Sequence, residues 1–352
     1  MSGGPAPWRS FSDLPRAQGE PPVSGRLRER DEDFQVSEEI GFEPEGEGEH
    51  CLLLVRKRGA NTEWVARQLA VHAGVPAGAV GYAGLKDRHA LTTQWFSVHL
   101  PGRPEPDWGA LPLPGVEILA AHRHRRKLQR GALRANRFRI HVRGLAGDRD
   151  ALGERLHRVR LRGVPNYFGP QRFGREDGNL LAAGALFAGE LRRVDRHRRG
   201  LWLSAARSQL FNEVLALRVA RGDWDQALAG DRLQLRGSRS HFAVPAVDQG
   251  LRERVLAFDL DPTGPLWGAG AALVSGEVAD LEASVAERFP QWVAGLAAAG
   301  LRQERRPLRL AVDGLRAEPV DADDLLLGFA LPAGAYATAV LRELVDWTEP
   351  QS

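Results

Sequence analysis

The sequence predicts an α+β fold in which a mainly helical domain interrupts a β-rich one. Three observations carry this. Strand-like alternation of apolar and polar residues dominates the first part of the chain. Helical periodicity dominates from Leu180 to about Leu301. Strand character returns at Arg305–Val312 and Leu325–Leu331. With 352 residues, 43% hydrophobic and 26% charged, the chain has a globular composition and is long enough for one large domain or two ordinary ones.

The elements follow in order. Residues 1–23 are rich in Pro and Gly without periodicity and read as a tail or loop. From Ser24 to Glu39, Phe34, Val36 and Glu38 alternate with Asp33, Gln35 and Ser37, which is strand patterning. The Gly-Glu repeats of 41–49 read as a solvated hairpin turn. His50–Lys57 reads as a more buried strand. Asn61 or Thr62 caps a helix with Trp64, Val65, Leu69 and Ala73 on its apolar face. Strands are expected at Ala79–Ala83, Gln94–His99, Val116–Leu119 and Asn136–Val142. In the last, Asn136, Phe138, Ile140 and Val142 share one face, and Arg137, Arg139 and His141 the other. Asp148–Leu161 is an amphipathic helix through Leu152, Leu156 and Val159. The Pro-, Gly- and aromatic-rich run Gly163–Arg175 cannot be a regular element. It reads either as a stiff loop displaying aromatics and cations to nucleic acid or as a packed connector. Helices are expected at 204–220 and 277–299, broken at Pro290, with short strands near 231–236 and 240–244. Pro332-Ala333-Gly334 turns the last strand into a final helix, 335–347.

The net charge is +3, unevenly spread. Residues 29–49 hold ten acids and one base. Between Glu117 and Asp148 there are nine Arg or Lys, three His and no acid. A second acid-free stretch spans 155–175, and Arg192, Arg193, Arg196, Arg198 and Arg199 form a third basic cluster. Three such blocks favour a polyanion partner over a merely solvated face. Lys occurs only at 57, 86 and 127.

Composition also excludes function classes. No apolar stretch approaches the roughly 20 residues of a membrane span. The start, Met1-Ser2-Gly3-Gly4-Pro5, lacks the pattern of a secretory signal, so a cytoplasmic protein is expected. Cys51 is the only cysteine, which rules out an internal disulfide and a Cys-based metal site. There is no phosphate-binding G-x-x-x-x-G-K-[ST], no G-x-G-x-x-G on a strand-to-helix turn and no H-E-x-x-H. His122-x-His124 lies among arginines, which oppose a divalent ion. Neither cofactor nor metal is expected.

What stands out is Gly84-Leu85-Lys86-Asp87-Arg88. It sets one carboxylate between two cations at the end of an apolar run, where a rigid strand can display it. Nearby cations favour the ionised form of a carboxylate, and Lys86 and Arg88 are candidates for that support. A surface turn with a local ion pair is the plain alternative. With Phe34, Tyr82, Phe138, Phe329 and a basic surface, the set suits cofactor-free chemistry on a nucleoside held in RNA.

These residues belong to longer motifs. They are Asp33-Phe34-x-Val36-x-Glu38, Ala83–Arg88 with Thr92-x-Gln94-Trp95-Phe96-Ser97, Asn136-x-Phe138-x-Ile140, Gly163–Gly174, and Phe329-x-Leu331-Pro332-x-Gly334-x-Tyr336-Ala337-Thr338-x-x-Leu341-Arg342-Glu343. In identity and order, over about residues 24–347, the sequence resembles the TruD family of tRNA pseudouridine synthases. The resemblance implies a pseudouridine synthase fold, a mixed and largely antiparallel sheet with flanking helices. It also implies an inserted TRUD-type domain at 162–303, between catalytic parts 1–161 and 304–352. It implies cofactor-free isomerisation of uridine to pseudouridine in tRNA, in this family at uridine 13. Asp87 would be the catalytic aspartate. Phe34, Asn136 and Phe329 would line the uridine pocket, with Phe138 stacking on the base. The expected partner is tRNA, and the expected state a monomer without an obligatory protein partner. A nucleoside hydrolase and a non-catalytic RNA-binding protein are the rival readings.

Overall fold

The computed structural model describes residues 8–191 and 193–350. The first seven residues and Arg192 of the third basic cluster lie outside them. The chain divides into two compact units. One is formed by residues 22–152, 312–334 and 345–352, and the other by residues 1–21, 153–311 and 335–344. These bounds differ from the lines at 162 and 303 that the family resemblance implies. The helix after Asp148 is shared out near its start, and both the N-terminal segment and the last helix go with the helical unit.

The first unit is built on a sheet with ten strands among the described residues. Its first part contains β1 (Val23–Arg26), β2 (Phe34–Ile40), β3 (His50–Lys57), helix α1 (Thr62–His72), β4 (Val80–Tyr82), β5 (Leu91–His99), β6 (Val116–His124) and β7 (Leu133–Gly147). The central order is β2-β5-β3-β6, so β5 lies between β2 and β3. Residues 41–49 therefore link strands that do not pair, and are not a hairpin turn. β2 runs parallel to β5, while β3 is antiparallel to β5 and β6. Long apolar alternation gives β7 a buried face, with Phe138, Ile140 and Val142 covered and Arg137 and Arg139 in solvent. α1 packs Val65, Ala66, Leu69 and Ala70 over Leu53, Val55 and Phe96, and Trp64 stays exposed.

The second unit takes most of α2 (Arg149–Arg162), then β8 (Val164–Pro165), α3 (Gly178–Phe187) and the long α4 (Arg196–Arg221). After these come β9 (Arg232–Leu235), β10 (His241–Ala243), α5 (Gln249–Leu256), β11 (Leu260–Leu266), α6 (Gly276–Arg288), α7 (Pro290–Ala298), β12 (Glu304–Pro307) and β13 (Arg309–Leu310). Its core gathers Tyr167, Phe168, Phe173, Phe211, Trp224 and Trp292 around α4. Tyr167 and Phe173 are almost wholly buried. The run at 163–175 is thus a packed connector, and the expectation that it displays aromatics to nucleic acid is corrected. Its aromatics fill the core because each buries a large apolar area there. The chain then adds β14 (Asp313–Pro319) and β15 (Leu325–Pro332) to the first unit's sheet, with β15 beside β7. α8 (Ala337–Leu344) belongs to the second unit, and β16 (Asp346–Thr348) pairs with β1.

The basic block of 122–143 is partly neutralised from within. Arg137 pairs with Glu39, Arg125 with Glu47, and Arg143 with Asp33 and Asp324. The acidic block of 29–49 thus answers the basic block of 122–143 across neighbouring strands. In the second unit Arg155 donates to the carbonyls of Gln18, Gly19, Glu20 and Glu343. Arg162 pairs with Asp225. Five-donor guanidinium groups suit such main-chain stapling. The reading of these blocks as an open polyanion surface narrows to exposed members such as Arg126, Arg134 and Arg139.

Candidate active site

Strand register assembles the site on one face of the sheet. Phe138 on β7 lies opposite Phe329 on β15 and Val36 on β2, and Asn136 lies opposite Glu38 and Leu331. Val36 in turn aligns with Thr92, and Thr92 with Lys57. Directly opposed residues point the same way, so Phe34, Glu38, Lys57, Thr92, Asn136, Phe138 and Phe329 share that face. The phenylalanines touch. Phe138 stacks on Phe329 with ring centroids 5.3 Å apart and meets Phe34 edge-on at 6.2 Å.

Asp87 sits in the irregular segment between β4 and β5. Its side chain is 46% exposed, and Oδ2 accepts a hydrogen bond from Arg28 Nη2 at 2.8 Å. Arg28 also donates to the His89 carbonyl at 3.1 Å, and its guanidinium lies 3.9 Å above the Phe34 ring. A single arginine thus joins the carboxylate to the aromatic group. Arg28 adopts φ of +57°, an uncommon left-handed conformation for a residue with a side chain. A cleft of about 340 Å³ opens beside it, lined by Arg28, Arg30, His89 and Glu349 among others.

The two sequence neighbours of Asp87 do other work. Lys86 Nζ pairs with Glu38 Oε1, both side chains being nearly inaccessible. The other oxygen of Glu38 accepts from Trp95 N at 2.9 Å. Burial raises the Glu38 carboxyl above its ordinary pKa, even against the pull of Lys86. Arg88 Nε donates to the Gly59 carbonyl at 3.2 Å. Neither Lys86 nor Arg88, the two candidates for electrostatic support, has a hydrogen bond to the Asp87 carboxylate; the cation in contact with it is Arg28. Arg28 lies 59 residues from Asp87, so no local pattern marks it. Lys57 is the other residue the motifs did not single out. It is wholly buried, and its ammonium donates to the carbonyls of Ala60 (2.7 Å) and Asp87 (3.1 Å).

Two polar atoms on this face, Asn136 Oδ1 and Thr92 Oγ1, are shielded from solvent and have no hydrogen-bond partner among the described residues. An orphaned buried acceptor is costly unless something fills it, and functional sites are a common place to find one. No group of three or more metal-ligating side chains with suitable placement occurs among the described residues. Cys51 is buried, and burial pushes its thiol up to about 12, which makes it inert. No described helix is long and apolar enough to cross a membrane.

The chain resembles known proteins over nearly its whole length. The family model described as "tRNA pseudouridine synthase D (TruD)" matches residues 15–187 and 177–344. The protein named tRNA pseudouridine synthase D from Methylococcus capsulatus is 50% identical over 341 residues, covering 97% of this chain and 96% of that one. Its namesake from Xanthomonas axonopodis is 49% identical over 348 residues, covering 95% and 94%. A solved structure from Methanosarcina mazei, described with the same family name, superposes with a TM-score of 0.71. It covers 94% of this chain and 95% of that one at 21% identity, which shows the shared fold. The chain belongs to the tRNA pseudouridine synthase D family, TruD.

Proposed function

We propose that this chain converts uridine 13 of tRNA to pseudouridine without a cofactor, with Asp87 as the reacting carboxylate. The observation that carries the reading is that Arg28 binds the Asp87 carboxylate while lying over the ring of Phe34, which shares one sheet face with Asn136, Phe138 and Phe329. The reaction breaks the N1–C1′ bond, turns the uracil and rejoins it through C5. C5 gives up a proton and N1 gains one, so mass is unchanged. The freed base must be retained, which calls for an apolar enclosure with few directing hydrogen bonds. Phe34, Phe138 and Phe329 supply the walls, and Phe138 stacks on the base. The unpartnered Asn136 Oδ1 is suited to accept from the uracil N3–H. Attack at C1′, addition at C6 and removal of a sugar proton all use Asp87 in its ionised form.

The target base must leave its stack, at a cost of a few kcal/mol, which phosphate contacts to exposed arginines offset. The second unit corresponds to the inserted TRUD-type domain. The chain works as a monomer on tRNA, in the cytoplasm where tRNA is processed. A hydrolase would require a second acid near the sugar, and both oxygens of Glu38 are already engaged. The test is Asp87→Asn. It should abolish pseudouridine formation while tRNA affinity stays within about threefold. Turnover by that variant would assign the chemistry elsewhere.

A further inference from the structure

Lys57 is buried without a carboxylate in hydrogen-bond contact, and both of its hydrogen bonds go to main-chain carbonyls. One carbonyl is that of Asp87 itself. We propose that Lys57 is a positioning residue for the reaction, fixing the backbone of Asp87 so that its carboxylate meets the sugar in a reactive pose.

The surrounding geometry supports this. The segment Gly84–Asp87 has no regular structure. It is held at three main-chain points: the Gly84 carbonyl accepts from Gln94 Nε2 at 2.6 Å, Lys86 N donates to Thr62 Oγ1 at 3.0 Å, and the Asp87 carbonyl accepts from Lys57. Thr62 and Gln94 are buried and bonded to each other at 3.0 Å. Lys57 is the member of this set that reaches the reacting residue. The chain uses Arg almost everywhere else, and Lys is found at only three positions. Here a compact ammonium on a flexible stem reaches two carbonyls at once. A buried ammonium without a contacting counter-ion costs stability, and sites tolerate such costs where function requires them.

The inference rests on Asp87 being the reacting carboxylate, so Asp87→Asn is assayed alongside. Lys57→Met keeps an unbranched apolar stem and removes the terminal nitrogen, and with it donor and charge. Because a misplacement of about 1 Å can cost 100-fold, the single-turnover rate should fall about 100-fold, with tRNA affinity within about threefold. The melting temperature should change little, since removal of the buried charge offsets the two carbonyls left without this donor. Lys57→Gln, which retains a neutral donor one atom shorter, should recover about tenfold of the loss. Turnover by Lys57→Met within about threefold of the parent overturns the inference, as does a rate loss matched by loss of folded protein.

A measurement on the unaltered protein gives an independent check. Burial lowers the Lys57 ammonium to about 8, with Asp87 and Glu38 pulling it up and Lys86 pushing it down. The unfolded lysine keeps its proton to about 10.5, so folding stability should rise between these values. Turnover should fall across the same start of the interval, as the charge-assisted bond to the Asp87 carbonyl weakens. Turnover that stays flat from about pH 7 to pH 9 overturns the inference. Full activity in Asp87→Asn would instead remove the Asp87 reading. An inactive Asp87→Asn beside active Lys57 variants would remove only the role of Lys57.

Discussion

Replacing Arg28 by alanine tests the electrostatic construction of the site. The substitution removes four things together: the 2.8 Å bond to Asp87, the clamp on the His89 carbonyl, the ion pair with Glu349 at 3.5 Å and the cover over Phe34. A charge-assisted hydrogen bond contributes about 1.5–3 kcal/mol. Arg28 is largely buried, with 14% of its side chain exposed, but the Asp87 side chain is 46% exposed, so solvent screening favours the lower end. The cation over Phe34 adds about 0.5 kcal/mol. The total of about 2 kcal/mol corresponds to a rate loss of about 30-fold. Single-turnover conversion of tRNA at saturating protein isolates this step from binding. Arg28→Lys, which keeps the charge but lacks the planar fork, should fall between the two. An Arg28→Ala rate within about twofold of the parent would refute the reasoning, as would a loss confined to tRNA affinity.

Other outcomes follow from the same structure. Replacing Arg126, Arg134 and Arg139 together by Gln should weaken tRNA binding and lower its salt slope by about 2, whereas the acid-paired Arg125 and Arg137 should matter less. Filter binding across a salt series reads this, and an unchanged slope would return the patch to a solvated face. Asp33 is buried. Burial pushes its carboxyl up, but bonds from Arg143 (2.7 and 2.9 Å) and Arg30 N outweigh that and hold it below its usual value. Its stabilisation is therefore complete above 3.8 and is lost as pH falls through the lower folded value. Chemical denaturation should show Asp33→Asn about 2 kcal/mol less stable at neutral pH, with the gap closing in acid.

Much of the sheet was legible because its strands alternate cleanly. Period-two patterning places Asn136, Phe138 and Ile140 on one side of β7, and Phe34 and Val36 on one side of β2, before any coordinates are known. β11 and β14 were not legible. Leu260–Leu266 contains two prolines and a glycine, which argue against a strand, and Asp313–Pro319 buries only Leu315 as an apolar anchor. The segment 163–175 shows a different limit. Aromatics and arginines in a Pro-Gly frame describe a packed connector and an RNA-facing loop equally well, and only burial separates them. Within the site, Asp87 was visible from its motif. Its true cation was not, because the 59-residue separation from Arg28 is closed only by the fold. The identity of Lys57 did carry a signal. In a chain so dominated by Arg, the retained lysines at 57 and 86 are both buried beside Asp87.

The most direct measurement is incubation of the purified protein with unmodified tRNA and no added cofactor, followed by mapping of pseudouridine along the product. Conversion at uridine 13, with unchanged RNA mass and complete loss in Asp87→Asn, is the predicted result. Release of free uracil, modification at a different position only, or conversion that survives Asp87→Asn would contradict the account.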